Sequence, residues 1–273
     1  METDYFAIKA LSNSLLKELA DSPARFKGIW DGDITWEETD AMRLGSGAHM
    51  LALEPERFES EYVVLEGRIN KSTQKPYGRG TNAFNEWLAE VKQTETRKVL
   101  IASEYEDCKA MAEAFHAHEK IQELMASSGK VFEQFWEMSY DFGEGVKIPF
   151  KFKPDCVCLD LGVVIDLKTT DDPSPDAFGY KAGKLGYYRQ AAIYAEGLEG
   201  YYGKPFEFLI GAVRKEKPYE SAVYRIKEAD LQQGRDEFNA LIGQYKDMKD
   251  SGVFRSYWQD GVHELDCKLW RKR

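Results

Sequence analysis

Lys153-Pro154-Asp155, then seven residues, then Val163-Val164-Ile165-Asp166-Leu167-Lys168-Thr169-Thr170 is the stretch that decides the fold. An apolar run that abruptly carries an acid and a base two residues apart reads as a buried strand with one chemically distinct face, because strand side chains alternate. Asp166 and Lys168 therefore point the same way. If Asp160-Leu161-Gly162 turns the chain back as a hairpin with two or four loop residues, Asp155 lies opposite Lys168 and diagonal to Asp166. All three then share a face; a three-residue loop or a bulge would break that parity.

Working outward, further strands are expected at Val131 to Tyr140, Val146 to Phe152 and Asp155 to Leu159, separated by Gly143, Gly145 and Gly162. Downstream, Pro175 to Lys181 and Tyr187 to Leu198 read as helices, Phe206 to Val213 and Ala222 to Ile226 as strands, and Ala229 to Met248 as a long helix. Upstream, Leu11, Leu15, Leu16 and Leu19 recur at helical spacing behind Ser12 or Asn13 as cap. Ser22-Pro23 opens a second helix, and Ala41 to Leu53 forms a third, stopped by Glu54-Pro55. Tyr62 to Leu65 is a short strand, Gly67 to Gly80 an exposed loop, and Ser103-Glu104-Tyr105-Glu106 a capping box for a helix toward Met125. The fold class is α/β (α+β), a central mixed sheet flanked by helices. The simplest partition is one domain over 1–273: a helical part to about residue 126, a sheet core over about 127–250 and a tail over 251–273.

Two carboxylates beside an amine suit phosphodiester hydrolysis. Carboxylate oxygens hold magnesium, which polarises a phosphate and acidifies a bound water, and a lysine orients that water or offsets charge on phosphorus. The plain alternative is a cross-strand salt bridge, worth about 0 to 1 kcal/mol. Gln190 and Tyr194, four apart, share a helix face, with ordinary amphipathic packing as their alternative. Gly45 and Gly47 in an otherwise apolar helix that also carries His49 each cost about 1 kcal/mol relative to alanine, which points to close approach of another backbone or of DNA. Taken singly, His49 reads as a satisfied core histidine.

The ordered set Gly45-x-x-x-His49, Pro154-Asp155, Asp166-Leu167-Lys168-Thr169 and Gln190-x-x-x-Tyr194 resembles the RecB-like branch of the PD-(D/E)xK nucleases. Within it the chain is most similar to the exonuclease VIII (RecE) nuclease domain and its phage relatives. Leu11 to Leu16, Ser22 to Phe26, Leu44 to Pro55 and Tyr188 to Ala192 add to the likeness, which runs from about Leu11 to Tyr194. The resemblance implies a restriction-endonuclease-like core in which Asp155, Asp166, the Leu167 main-chain carbonyl and His49 bind Mg2+, with Mn2+ able to substitute. Lys168 would position or activate water, with Gln190 orienting it. Glu133 matches a further acidic position of the family, with an exposed strand glutamate as its plain alternative. Tyr194, Lys153, Arg189 and Arg43 would lie toward DNA, and relatives often carry Arg where Lys151-Phe152-Lys153 precedes Pro154. The activity implied is a 5′ to 3′ exonuclease on linear double-stranded DNA. A homo-oligomeric ring would thread the duplex and pass the 3′ strand to a RecT-like annealing protein, in the cytoplasm of a bacterial host, with a phage or prophage origin. Rival readings are an endonuclease of the superfamily, a DNA-binding or assembly module that lost catalysis, and an acidic α/β interaction protein whose likeness is accidental.

Composition narrows this further. With 37 Lys+Arg against 47 Asp+Glu, the 273-residue chain carries a formal charge of −10, so binding DNA requires positive charge gathered in a groove. Lys147, Lys151 and Lys153, with Lys181, Lys184 and Arg189, are the nearest candidates, and Arg25, Arg43, Arg68 and Arg79 are candidates for gripping a 5′ phosphate. Hydrophobic residues at 43% exclude disorder, and the apolar runs are too short to span a membrane. Cys108, Cys156, Cys158 and Cys267 lack metal spacing and are expected as core or unpaired thiols, without zinc or an iron–sulfur cluster.

Overall fold

The structure, a computed structural model, describes residues 8–35, 39–78, 80–141 and 146–264, with the side chain of Tyr257 left aside. Arg79, Gly143, Gly145, Cys267 and the basic tail lie outside the described residues. Helices are α1 (Asn13–Asp21), α2 (Pro23–Asp31), α3 (Asp40–Leu53), α4 (Phe58–Glu61), α5 (Asn82–Val91), α6 (Ala102–Ala117), α7 (Glu119–Met125), α8 (Pro175–Leu185), α9 (Tyr187–Tyr202) and α10 (Glu228–Ser251). Strands are β1 (Tyr62–Leu65), β2 (Lys98–Ile101), β3 (Lys130–Phe132), β4 (Trp136–Asp141), β5 (Lys147–Phe152), β6 (Cys156–Cys158), β7 (Val163–Thr170), β8 (Glu207–Arg214) and β9 (Ser221–Arg225). No helix among the described residues is long and apolar enough to cross a membrane.

Contacts gather into two compact units, each discontinuous in sequence: residues 1–36, 139–150 and 236–273, and residues 37–138 and 151–235. In the first, Ser12 caps α1 by accepting from Leu15 N, and Ser22 caps α2 by accepting from Arg25 N ahead of Pro23. Leu16, Leu19 and Phe26 are buried, with Phe26 against the rings of Tyr245 and Phe254 at 5.7 and 5.9 Å.

The second unit holds a five-stranded mixed sheet in the order β3-β6-β7-β8-β9. Only the β7–β8 pair is parallel, and the crossover that such a pair requires is made by α8 and α9. Alternation along β7 sends Val163, Ile165 and Leu167 into a core with Ala48, Cys108, Phe115 and Leu124, from the layer of α3, α6 and α7. Asp166 and Lys168 take the other parity, on the side of Gln190 from α9. A glycine in β8 lets that helical layer close down: a Cβ at Gly211 would lie 2.5 Å from the Phe115 ring.

The β6–β7 hairpin differs from the expected register by two residues. Cys156 pairs with Ile165, Val157 with Val164 and Cys158 with Val163, which leaves a four-residue loop and sets Asp155 opposite Asp166 rather than Lys168. A slip of two preserves the face, so the three side chains still converge. The strand expected from Val131 to Tyr140 is two strands, broken where Glu133 adopts φ 49°, a left-handed conformation rare for a non-glycine residue. The helix expected to run from the capping box to Met125 begins earlier and breaks once. Glu104 accepts from Ile101 N at 3.0 Å at its start, and His118 turns extended and accepts from Lys120 N to open α7.

Candidate active site

Four elements of the second unit meet at the carboxyl-terminal half of β7. Asp166, 1% exposed, takes a hydrogen bond from Gln190 Nε2 on Oδ1 at 3.0 Å. Its Oδ2 is shielded from solvent and accepts no hydrogen bond of good geometry, its close neighbour being the Lys168 ammonium at 2.6 Å. Asp155, at the entrance of β6, accepts from Leu167 N at 2.7 Å and lies 3.4 Å from His49 Nδ1. One ligand atom each from His49, Glu133 and Asp155 falls within 4.8 Å of the others. Glu133 is held to the group by its own backbone, since its N–H donates to the Asp155 carbonyl at 3.0 Å, and Lys153 Nζ sits 2.6 Å from its carboxylate.

Burial sets the protonation of this group. It raises Asp155 well above the usual carboxylate range, and the charge of Asp166 adds to the effect. Glu133 is raised for the same reason, with Lys153 opposing. The His49 imidazole is pushed down to about 4 by burial and by the Lys168 charge, so it is neutral and has a lone pair to offer. Burial also works against a charged Lys168, but Asp166 and Asp155 outweigh it and raise its pKa. The lysine is therefore an ammonium, suited to orienting water and offsetting anionic charge rather than removing a proton.

An imidazole nitrogen with two or three carboxylates, one of them carrying a buried oxygen without a good hydrogen bond, is a donor set that fits a hard divalent cation such as Mg2+ or Mn2+. It has no thiolate: the described cysteines are unpaired and buried in the core.

Residues 12–257 match the model of a family described as a PDDEXK-like domain of unknown function (DUF3799). The chain belongs to this family. The PDDEXK-like chain also superposes on the crystal structure of a candidate exonuclease from Eubacterium rectale, with a TM-score of 0.63 at 14% identity, over 98% of this chain and 96% of that one. That likeness shows a shared fold. A second structure, SSO0001, is 12% identical over 83% of this chain and 84% of that one, with a TM-score of 0.29, too low to bear on the fold. No curated protein matches the chain. The PD-(D/E)xK nuclease-like family and its mixed α/β core are thus the ones expected from the ordered motifs.

In this PDDEXK-like domain His49, Glu133, Asp155, Asp166, Lys168 and Gln190 come together, and the residues expected to face DNA do not join them on a free surface. Tyr194 is a core residue, 5.2 Å from the Phe152 ring and 6.1 Å from Phe208. Arg189 is 2% exposed and folds back over Gly186. Arg43 is spent on Glu104, Asp40 and the Val99 carbonyl, which tie α3 to the start of α6. Lys153 borders the site but faces Glu133, and Lys151 is buried. The helix glycines admit neighbouring side chains rather than a backbone: a Cβ at Gly45 would lie 3.2 Å from Thr169 Oγ1, and one at Gly47 3.0 Å from Cys108 Sγ. One site residue had escaped the motif reading. Tyr187, the first residue of α9, lies with its ring 5.0 Å from Lys168 Nζ. Its position three residues before Gln190, on the same helix face, is the sequence signal by which it could have been found.

Proposed function

We propose that this chain is a divalent-metal-dependent deoxyribonuclease, and specifically an exonuclease that works 5′ to 3′ from the ends of linear duplex DNA. The observation that carries the reading is the Lys168–Asp166–Gln190 chain set beside the His49, Glu133 and Asp155 cluster. His49, Asp155, Asp166 and the Leu167 carbonyl would hold Mg2+, with Glu133 as a further ligand. The ion, when bound, supplies Lewis acidity toward a phosphate oxygen and acidifies water. Gln190 fixes the Asp166 carboxylate, Asp166 fixes the Lys168 ammonium, and Tyr187 limits where that ammonium can swing. Lys168 then orients the attacking water and offsets negative charge on the pentacovalent phosphorus. Strand polarity, a ring-shaped oligomer and delivery of the 3′ strand to an annealing protein for recombination belong to the same reading.

The test compares linear and covalently closed duplex of the same sequence with Mg2+. Degradation of the linear form alone supports an exonuclease, whereas equal cutting of closed circles makes the chain an endonuclease. Light scattering of the purified protein tests the ring, and a monomer in solution and on DNA contradicts it.

A further inference from the structure

A pocket of about 590 Å3 lies in the second unit, between α8, β9 and the start of α10, and shares no residue with the metal cluster. Its size is that of a small-molecule site. Its walls combine aromatic surface from Phe178, Tyr188 and Tyr224 with the cations Lys227 and Arg225, the latter ion-paired with Glu207. Asp176 and Asp230 also line it, so both signs of charge meet at the pocket, with Lys227 exposed on its rim.

Two features tie the pocket to a ligand and to the active site. Gly179 and Gly183, four apart on α8, both line it, and a Cβ at either would meet nothing within 4 Å. Helix glycines usually permit close packing within the fold. Here they keep a space open, and the protein's own packing does not use it. The rings, in turn, form a continuous path to the catalytic lysine. Phe178 stacks on Tyr224 at 5.4 Å and meets Tyr187 at 6.2 Å, and Tyr187 carries the Lys168 ammonium at 5.0 Å. The Tyr224 hydroxyl donates to the Pro173 carbonyl, which fixes the stacked ring as a wall.

We infer that this pocket is a nucleoside monophosphate subsite, which takes the terminal nucleotide of the strand next to the scissile phosphate or the released mononucleotide. The base stacks against the aromatic wall, Lys227 attracts the phosphate, and Asp176 and Asp230 accept from base or sugar donors. The inference rests on the nuclease reading for its physiological ligand, while its binding chemistry is independent of catalysis.

Isothermal titration of the full chain in EDTA tests it, with deoxynucleoside 5′-monophosphates, inorganic phosphate and a 5′-phosphorylated duplex bearing a one-nucleotide overhang as probes. Wild type and the catalytic variant Asp166→Ala are expected to bind monophosphates alike, and phosphate alone more weakly. Gly183→Leu, at a position where a Cβ meets no neighbour within 4 Å, and Lys227→Ala, at an exposed side chain, are each expected to weaken binding by about tenfold or more with melting temperature kept. Overhang binding that falls in the same variants assigns the pocket to the strand end; overhang binding that is unchanged assigns it to the released product. No monophosphate binding by wild type, or equal binding by wild type and both pocket variants, overturns the proposal. Retained nucleotide binding in a protein that cleaves no DNA would instead sink the nuclease reading and leave the pocket standing.

Discussion

The Lys168 ammonium has a carboxylate on one side, a phenol ring on another and little exposure, so its position is over-determined. Removing the amine in Lys168→Ala is expected to lower turnover by about a hundredfold or more, with metal affinity retained, as measured by single-turnover cleavage and metal titration. Activity within threefold of wild type would mean that the amine is a structural ion-pair member. Metal binding has its own pH signature. Asp155 and Glu133 have raised pKa values in the folded state, so over that window the metal-free fold holds protons that the unfolded chain has lost, and its stability falls as pH rises. A cation displaces those protons. The rise in melting temperature on adding Mg2+ or Mn2+ should therefore be larger at pH 8 than at pH 5.5, and disappear in Asp155→Asn; a pH-independent rise contradicts the assignment. His49 acts in the opposite sense: with its pKa pushed down to about 4, it removes stability as pH falls from about 6.5 toward 4, and His49→Gln should flatten that limb. Asp155, Asp166 and Lys168 were legible as residues because their spacing fixed a shared face, and Gln190 because the ordered motif of the resembling family carries it. Tyr194 was not, since a period of four marks the inward face of a helix but not whether that face meets a site or a core.

Elements were readable where the signal is local. Strand β7, helices α1, α2, α3 and α9, and the Ser and Pro starts of α1 and α2, follow from alternation, period and capping. Helix α5 and strand β2 are not among the elements expected from sequence: α5, with Phe84, Trp87, Leu88 and Val91 behind the Thr81 cap, carries the same kind of signal as α1, whereas the four-residue β2 is defined by its nonlocal pairing with β1. The hairpin register was legible to its parity but not to its residue, because a two-residue slip costs no face and only the loop geometry decides it. The break at Glu133 had no sequence mark, as a glutamate in a left-handed conformation is imposed by its surroundings. The joint between sheet and helical layer makes a sharper claim: Gly211→Ala should destabilise the fold by about 1–3 kcal/mol, because its methyl group meets the Phe115 ring. Denaturant unfolding checks this, and a neutral effect would show that α6 is not held against β8 as described.

At the scale of the molecule, the chain carries a charge of −10, and three of the described lysines at the site are engaged. Lys168 and Lys153 face carboxylates, and Lys181 donates to the Thr169 carbonyl at 3.0 Å. DNA binding should accordingly depend on the divalent ion, with affinity in EDTA at least about tenfold weaker than with a bound cation and falling steeply with added salt. Equal affinity with and without metal, measured by fluorescence anisotropy, would place the DNA on a surface remote from this cluster. The proposal that the chain hydrolyses DNA from an end through Asp155, Asp166 and Lys168 stands or falls on a time course on linear duplex labelled at its 5′ or 3′ ends, with Mg2+, for wild type and Asp166→Ala. Immediate release of the 5′ label by wild type, late release of the 3′ label and neither by the variant are expected. Label release that survives in Asp166→Ala, or no release by wild type, would contradict the proposal.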